Sequence, residues 1–265
     1  MRVIGVDGCR GGWICVALED RAVRPEGPGA GRERGHWVSR DFADVMVRAT
    51  DADLVLVDIP IGLLEGGPGP RGPDAEARRL LQGKRASSVF PAPARPVLRA
   101  RDYATANALS RELTGKGLSK QSWMIAPKIR EVDELLRTRP ELVGRVREVH
   151  PEVCFHAFAG GRSMAHNKKT ADGFAERFRL LAARHPRAEP ILGSILLWQG
   201  RSASRDDAVD ALVAALTAAV LVAEPAALRT LPPEPARDAH GIPMEMVYAG
   251  GTASNPSIAD WNCVS

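Results

Sequence analysis

Two short apolar runs in this chain end in the same residue. Residues 2–7 read Arg-Val-Ile-Gly-Val-Asp and residues 54–58 read Leu-Val-Leu-Val-Asp. Runs of this length, rich in branched aliphatic side chains, read as buried strands. If the two are parallel neighbours in one sheet, the carboxylates of Asp7 and Asp58 emerge side by side at the strand ends, where open α/β sheets place their ligands. Two acids there point to a metal site. Asp206, Asp207 and Asp210, at the start of an apolar helix, could supply the remaining oxygen ligands of a hard cation such as Mg²⁺.

The rest of the chain supplies a sheet for these strands. After a glycine-rich loop at 8–12, residues 13–18 read as a second strand forming a hairpin with the first. Residues 20–35, dense in Gly, Pro and charge, read as an exposed loop leading to a third strand at 36–39. Helical spacing of Phe42, Val45 and Met46 follows, with Asp41 placed to cap it. The strand at 54–58 is stopped by Pro60.

Residues 61–140 read as an elaboration, punctuated by Pro and Gly, with helical pieces near 74–81, 102–113 and 127–137. Alternation returns at 145–150, a fifth strand ended by Pro151. A helix at 170–184 precedes the strongest one, at 206–222, with Val209, Leu212, Val213, Leu216 and Val220 at helical spacing. A Pro-rich linker at 224–235, an edge strand at 244–249 and a loosely held tail from 250 to 265 complete the reading. The order predicts an α/β fold: a ribonuclease H-like mixed five-stranded sheet flanked by helices, with a large helical insertion between the fourth and fifth strands. We expect a single domain over residues 1–265, with an inserted basic helical lobe at 61–140.

A length of 265 residues with 45% hydrophobic content suffices for a sizeable core. No apolar stretch approaches the roughly 20 residues that span a bilayer, so the expectation is a cytoplasmic protein with no membrane partner. Cys9, Cys15, Cys154 and Cys263 show neither CxxC spacing nor the density of a secreted scaffold, which favours reduced thiols. The net charge of +4 permits phosphate contact without demanding it. Its distribution is more telling, because residues 71–101 hold eight basic side chains against two acidic ones. That stretch is a candidate anion-binding lobe.

Each acidic candidate also has a plain structural reading. Asp7 begins an Asp-Gly pair of the kind that turns hairpins, and Asp58 could simply end a strand before a turn. Ser204 with Asp207 makes a capping box, and acids in a first turn suit the helix dipole. Asp210 is different. It lies one helical step beyond Asp207 on the same face, where capping does not reach. In the segment 148–152, Glu-Val-His-Pro-Glu, Glu148 and His150 share one strand face and Glu152 falls just past the strand's end, so Glu152 ranks above Glu148 as a ligand. Arg85, Ser87, Ser88, Lys120, Gln121 and Lys128 are the candidates for holding substrate phosphate.

Taken together, these residues resemble the family catalogued as domain of unknown function 429, described as predicted nucleases of ribonuclease H-like fold. The resemblance is carried by ValAspGlyCysArgGlyGlyTrp (6–13), AspIleProIleGlyLeu (58–63), SerSerValPhePro (87–91), SerLysGln (119–121), LysIleArgGluValAsp (128–133), GluValHisProGlu (148–152) and AspAspAlaValAspAla (206–211). It implies the fold and a metal-dependent site at Asp7, Asp58, the 148–152 segment and the helix start at 206–210.

The leading expectation is a Mg²⁺- or Mn²⁺-dependent nuclease acting on nucleic acid. Asp7, Asp58, Asp207 and Asp210 would hold two metal ions, Glu152 would complete the catalytic carboxylates, and the basic lobe would orient the substrate. Two alternatives share the residues: a nucleotide-binding phosphotransferase of the actin and sugar-kinase type, and a non-catalytic nucleic-acid-binding module with a structural metal site.

Overall fold

The computed structural model describes residues 1–20, 35–198, 202–251, 258 and 260–263. The loop expected at 20–35 therefore lies, from 21 to 34, outside the described residues. The chain divides into two compact units, one formed by Met1–Asp58, Arg145–Arg229 and Val247–Ser265, the other by Ile59–Gly144 and Thr230–Met246.

The first unit is built on a mixed sheet. Strand β1 (Arg2–Cys9) pairs antiparallel with β2 (Gly12–Asp20), which pairs antiparallel with β3 (His36–Ser39). On its other side β1 pairs parallel with β4 (Leu54–Val57), and β4 pairs parallel with β5 (Val146–Glu148). The order is β3-β2-β1-β4-β5. Gly12 makes the hairpin possible: its φ is 127°, and a β-carbon there would sit 2.0 Å from the Ser39 carbonyl oxygen.

Side-chain alternation gives the sheet two apolar faces. Val3, Ile14, Val16, Leu18, Leu54 and Leu56 join one buried cluster with helix α8 (Arg205–Ala223). Helices α5 (Pro151–Phe158), α6 (Ala171–Arg184) and α7 (Ala188–Trp198) pack on α8. Across the sheet lies α1 (Phe42–Arg48), capped by Asp41, with Phe42 edge-on to Trp13 at 5.1 Å between ring centroids. Helix α8 is buried along almost its whole length and rich in alanine, so it has no wet face and its backbone can approach the strands closely.

The second unit holds α2 (Gly72–Leu81), α3 (Tyr103–Thr114) and α4 (Lys120–Thr138), with short 3₁₀ turns at Gly83–Ser88, Arg95–Arg99 and Pro140–Leu142. Ala94, Val97, Ala106 and Leu118 form a small core there. Two arginines are internal to it. Arg71 pairs with Asp74 and donates to the carbonyls of Ile61 and Gly62 at 2.8 and 2.9 Å. Arg95 binds Asp133, Glu65 and Asp238, and Asp238 in turn accepts from the backbone of Leu63, His240 and Ile242.

Four details depart from the expectations. The 224–235 stretch contains a strand, β6 (Leu228–Leu231), which pairs with β7 (Met246–Ala249) in a separate two-stranded sheet, so β7 is not an edge of the main one. The tail carries β8 (Trp261–Cys263), which pairs with Leu18–Asp20 of β2 beyond the end of β3 and buries Trp261. The residues that follow Pro151 form a helix, α5. Residues 188–198, unassigned from sequence, form α7. Among the described residues no helix is long and apolar enough to cross a membrane.

Candidate metal centre

The register of β1 and β4 places the first two acids. The last parallel pair is Val6 with Val57, and the Asp58 N–H donates to the Val6 carbonyl at 2.9 Å. Asp7 and Asp58 are each the next residue. By alternation Asp7 follows Val3 and Gly5, and Asp58 follows Leu54 and Leu56, so both side chains leave the sheet on the α8 face. Asp7 is not the turn residue its Asp-Gly pair suggests; it is still laddered to Ile14, and the hairpin turns at Arg10 and Gly11.

Gly5 brings the third acid. A β-carbon at Gly5 would lie 2.2 Å from both the Ala211 carbonyl oxygen and the Ala215 nitrogen, so α8 rests directly on the β1 backbone. Asp210, beside that contact, meets the two strand acids. One carboxylate oxygen from each of Asp7, Asp58 and Asp210 lies within 4.8 Å of the other two. Asp7 and Asp210 are almost wholly buried and Asp58 is half-buried.

The capping box at the start of α8 is also real. Asp207 accepts from the Ser204 N–H at 2.7 Å, and the Ser204 hydroxyl is 2.6 Å from Asp206. Asp207 thus spends one oxygen on the helix end, yet it is near enough to raise the pKa of both Asp7 and Asp58.

Concentrated negative charge shows in the proton affinities. Burial first, then Asp58 and Asp210, hold the Asp7 carboxyl well above the ordinary range. Burial is again the largest cause at Asp58 and at Asp210, both pushed up to about 6, with Glu152 adding to the rise at each. Lys168 opposes all three. Its ammonium is 2.5 Å from Asp210 Oδ2. Burial lowers the lysine's own pKa, but Asp210, Asp7 and Asp58 outweigh that and raise it.

Lys168 comes from a loop with little freedom. The Asn167 carbonyl accepts from the backbone N–H of Thr170 at 3.0 Å and its hydroxyl at 2.8 Å, and Thr170 caps α6. A β-carbon on Gly173 would sit 1.8 Å from the Asn167 oxygen, so the loop closes on the first turn of α6 only because residue 173 is glycine.

A fourth carboxylate acts on two of these. Glu152, in the first turn of α5, is 5% exposed and pairs through Oε1 with the buried Arg177. Its Oε2 is buried with no hydrogen-bond partner among the described residues. Glu148 goes the other way. It is in register with Val57, so it shares the face opposite to Leu56 and Asp58.

These donors are all oxygen, which suits a hard divalent cation, and the nearby Cys154 thiol, pushed up to about 12 mainly by burial, stays protonated. Asp7, Asp58 and Asp210 could hold a metal ion. Lys168 and Arg177 carry no local signature in the sequence; 42 residues separate Lys168 from Asp210 and 25 separate Arg177 from Glu152.

The six expected phosphate-binding residues all lie in the second unit. Lys120 and Gln121 are exposed at the start of α4, whose N-cap is Ser119. Ser87 is exposed, while Arg85, Ser88 and Lys128 are half-buried, with the Ser88 hydroxyl donating to the Arg85 carbonyl at 2.7 Å. The basic stretch is narrower than its composition suggests, because Arg71 and Arg95 are spent on internal carboxylates.

A family model described as protein of unknown function (DUF429) matches residues 5–237. No curated protein matches the chain. No solved structure matches it either.

Proposed function

The chain belongs to the DUF429 family, and from the acidic centre it carries we propose that it is a divalent-metal-dependent nuclease with a ribonuclease H-like core. One observation carries the reading: β1, β4 and α8 each deliver a buried or half-buried carboxylate to one point, at a mutual distance within 4.8 Å. Neither a strand end nor a helix cap calls for such convergence, and bringing like charges together in a buried place costs free energy unless a cation offsets it. The strand order and the carboxylate face of β1 and β4 support the ribonuclease H-like assignment.

Asp7, Asp58 and Asp210 would hold Mg²⁺ or Mn²⁺. When bound, such a cation screens phosphate charge and lowers the pKa of water. The chain's own residues do the rest. Arg177 pairs with Glu152 through Oε1 and orients it, and Lys168 steadies Asp210. Lys120, Gln121 and Lys128, in the second unit, would bind nucleic-acid phosphate on that unit's own account.

The test is hydrolysis of labelled single-stranded, duplex, hybrid and branched nucleic acids by the purified protein with Mg²⁺ or Mn²⁺. Cleavage by the wild type that falls at least a thousandfold in Asp58→Asn and in Asp210→Asn is the expected result. Cleavage that both variants retain, or its absence from every substrate, would sink the proposal.

A further inference from the structure

Two helix starts and a loop meet near Asp210, all within the unit that holds the carboxylates. The loop before α6 is fixed to that helix: the N–H groups of Ala165 and His166 donate to Glu176 at 2.8 and 3.0 Å, and the Asn167 carbonyl lies against Gly173. Residues 160–170 carry Arg162, Lys168 and Lys169 and no acid. Lys168 touches Asp210, and Lys169, the next residue, is exposed. Of the acids in the two helix starts, Asp206 and Asp207 are engaged with Ser204, which leaves Asp172 exposed on α6.

Arg205 opens α8, five residues and so about 7.5 Å along the axis before Asp210. Its guanidinium carbon lies over the Phe174 ring, 4.3 Å from the centroid. Phe174 is in turn stacked on Phe178, with centroids 6.0 Å apart and planes 13° from parallel. Both rings are half-buried against the core, whereas the arginine is exposed, and among the described residues no carboxylate pairs with it. The layers run ring, ring, guanidinium, and the outermost faces water.

We propose that this stack is a base platform: a nucleobase of single-stranded nucleic acid lies on the exposed side of Arg205, and a neighbouring phosphate is held by Lys169. A guanidinium takes a base by stacking as an aromatic ring does, and the ring beneath it holds the guanidinium in place. A paired duplex hides its base faces, so the occupant is a single strand or an unpaired end. Its role in delivering substrate to the carboxylates rests on the nuclease reading.

The test measures binding of the full-length protein to two fluorescein-labelled single strands of about 12 nucleotides, oligothymidylate and an abasic strand with the same phosphates, by anisotropy in EDTA and in Ca²⁺. Wild type should prefer oligothymidylate. Arg205→Ala and Phe174→Leu, with folding checked by circular dichroism, should weaken its binding at least about fivefold, the low end for one stacked base, and that of the abasic strand less than about twofold. Arg205→Lys, which keeps charge without the plane, should match Arg205→Ala, and Lys169→Ala should weaken both strands alike. Unchanged oligothymidylate binding in folded Arg205→Ala, equal loss of both strands there, full preference in Arg205→Lys, or no oligothymidylate binding by wild type would overturn the platform; a Lys169→Ala that spares both strands would overturn the phosphate contact. The nuclease reading is decided separately, by wild-type hydrolysis of the substrate panel with Mn²⁺.

Discussion

Gly5 on the central strand and Ala211 on the buried helix are so close that a single added methyl would sit 2.2 Å from the Ala211 carbonyl oxygen. This contact sets the height of α8 over the sheet and hence the place of Asp210. Gly5→Ala should therefore cost about 3 kcal/mol or more, at the top of the range for overpacking, because backbone on both sides has to move. Urea denaturation reads it. A change of less than ~0.5 kcal/mol, the level of an ordinary surface substitution, would mean that the helix does not rest where we find it.

Arg177 and Glu152 should behave as a unit. Removing the arginine in Arg177→Met strands a buried carboxylate and should cost about 3 to 5 kcal/mol, whereas Arg177→Met combined with Glu152→Gln should recover a large part of that loss. A double-mutant cycle measures the coupling. Costs that simply add would contradict the pairing.

The proton affinities predict a pH dependence of definite sign. Asp58 and Asp210 have folded-state pKa values of about 6 against 3.8 for the free group, so the folded protein binds more protons than the unfolded chain between those values. Metal-free wild type should lose stability as pH rises from about 4 to about 6, by roughly 2 kcal/mol for either group. Other carboxylates titrate in the same region, so the clean readout is a difference. The advantage of Asp58→Asn over wild type in urea midpoint should be small at pH 4 and grow to a plateau above pH 6. An advantage that shrinks with rising pH would reverse the assignment.

Not every arginine in the basic stretch is available to a ligand. Arg95→Leu takes the shared arginine from the buried Asp133, which keeps only Arg137, and from the buried Asp238, which keeps only backbone donors, and should destabilise the protein by about 3 kcal/mol. Lys120→Ala, at an exposed helix start, should leave stability unchanged. If the proposed substrate is right, it should instead weaken nucleic-acid binding evenly across sequences and lower the salt slope by about 1. Equal stability losses in the two variants would refute the distinction.

The parts of this fold legible in the sequence are those in which local pattern and tertiary role coincide. The runs ending at Asp7 and Asp58 are strands whose apolar residues pack against α8, and the two acids at their ends coincide in place although each alone has a plain structural use. Asp210 stood apart from Asp206 and Asp207 because capping explains only a first turn. Other elements hid for physical reasons. Helix α7 contains Pro190 and Gly193, α5 is eight residues long and buried on nearly every side, and β6 sits just before Pro232 and Pro233. Strand β8 has three residues and exists through its pairing with β2. Lys168 was invisible because its meaning lies in a contact 42 residues away. Composition overstated the anion-binding stretch, since it cannot tell a solvated arginine from one buried against aspartates.

The central claim is that three converging carboxylates make a metal centre, and crystals soaked in Mn²⁺ test it most directly. The account predicts an anomalous scattering peak bonded to one oxygen each of Asp7, Asp58 and Asp210. Saturating Mn²⁺ that leaves no peak among these three oxygens, or places ions only elsewhere on the molecule, would contradict it.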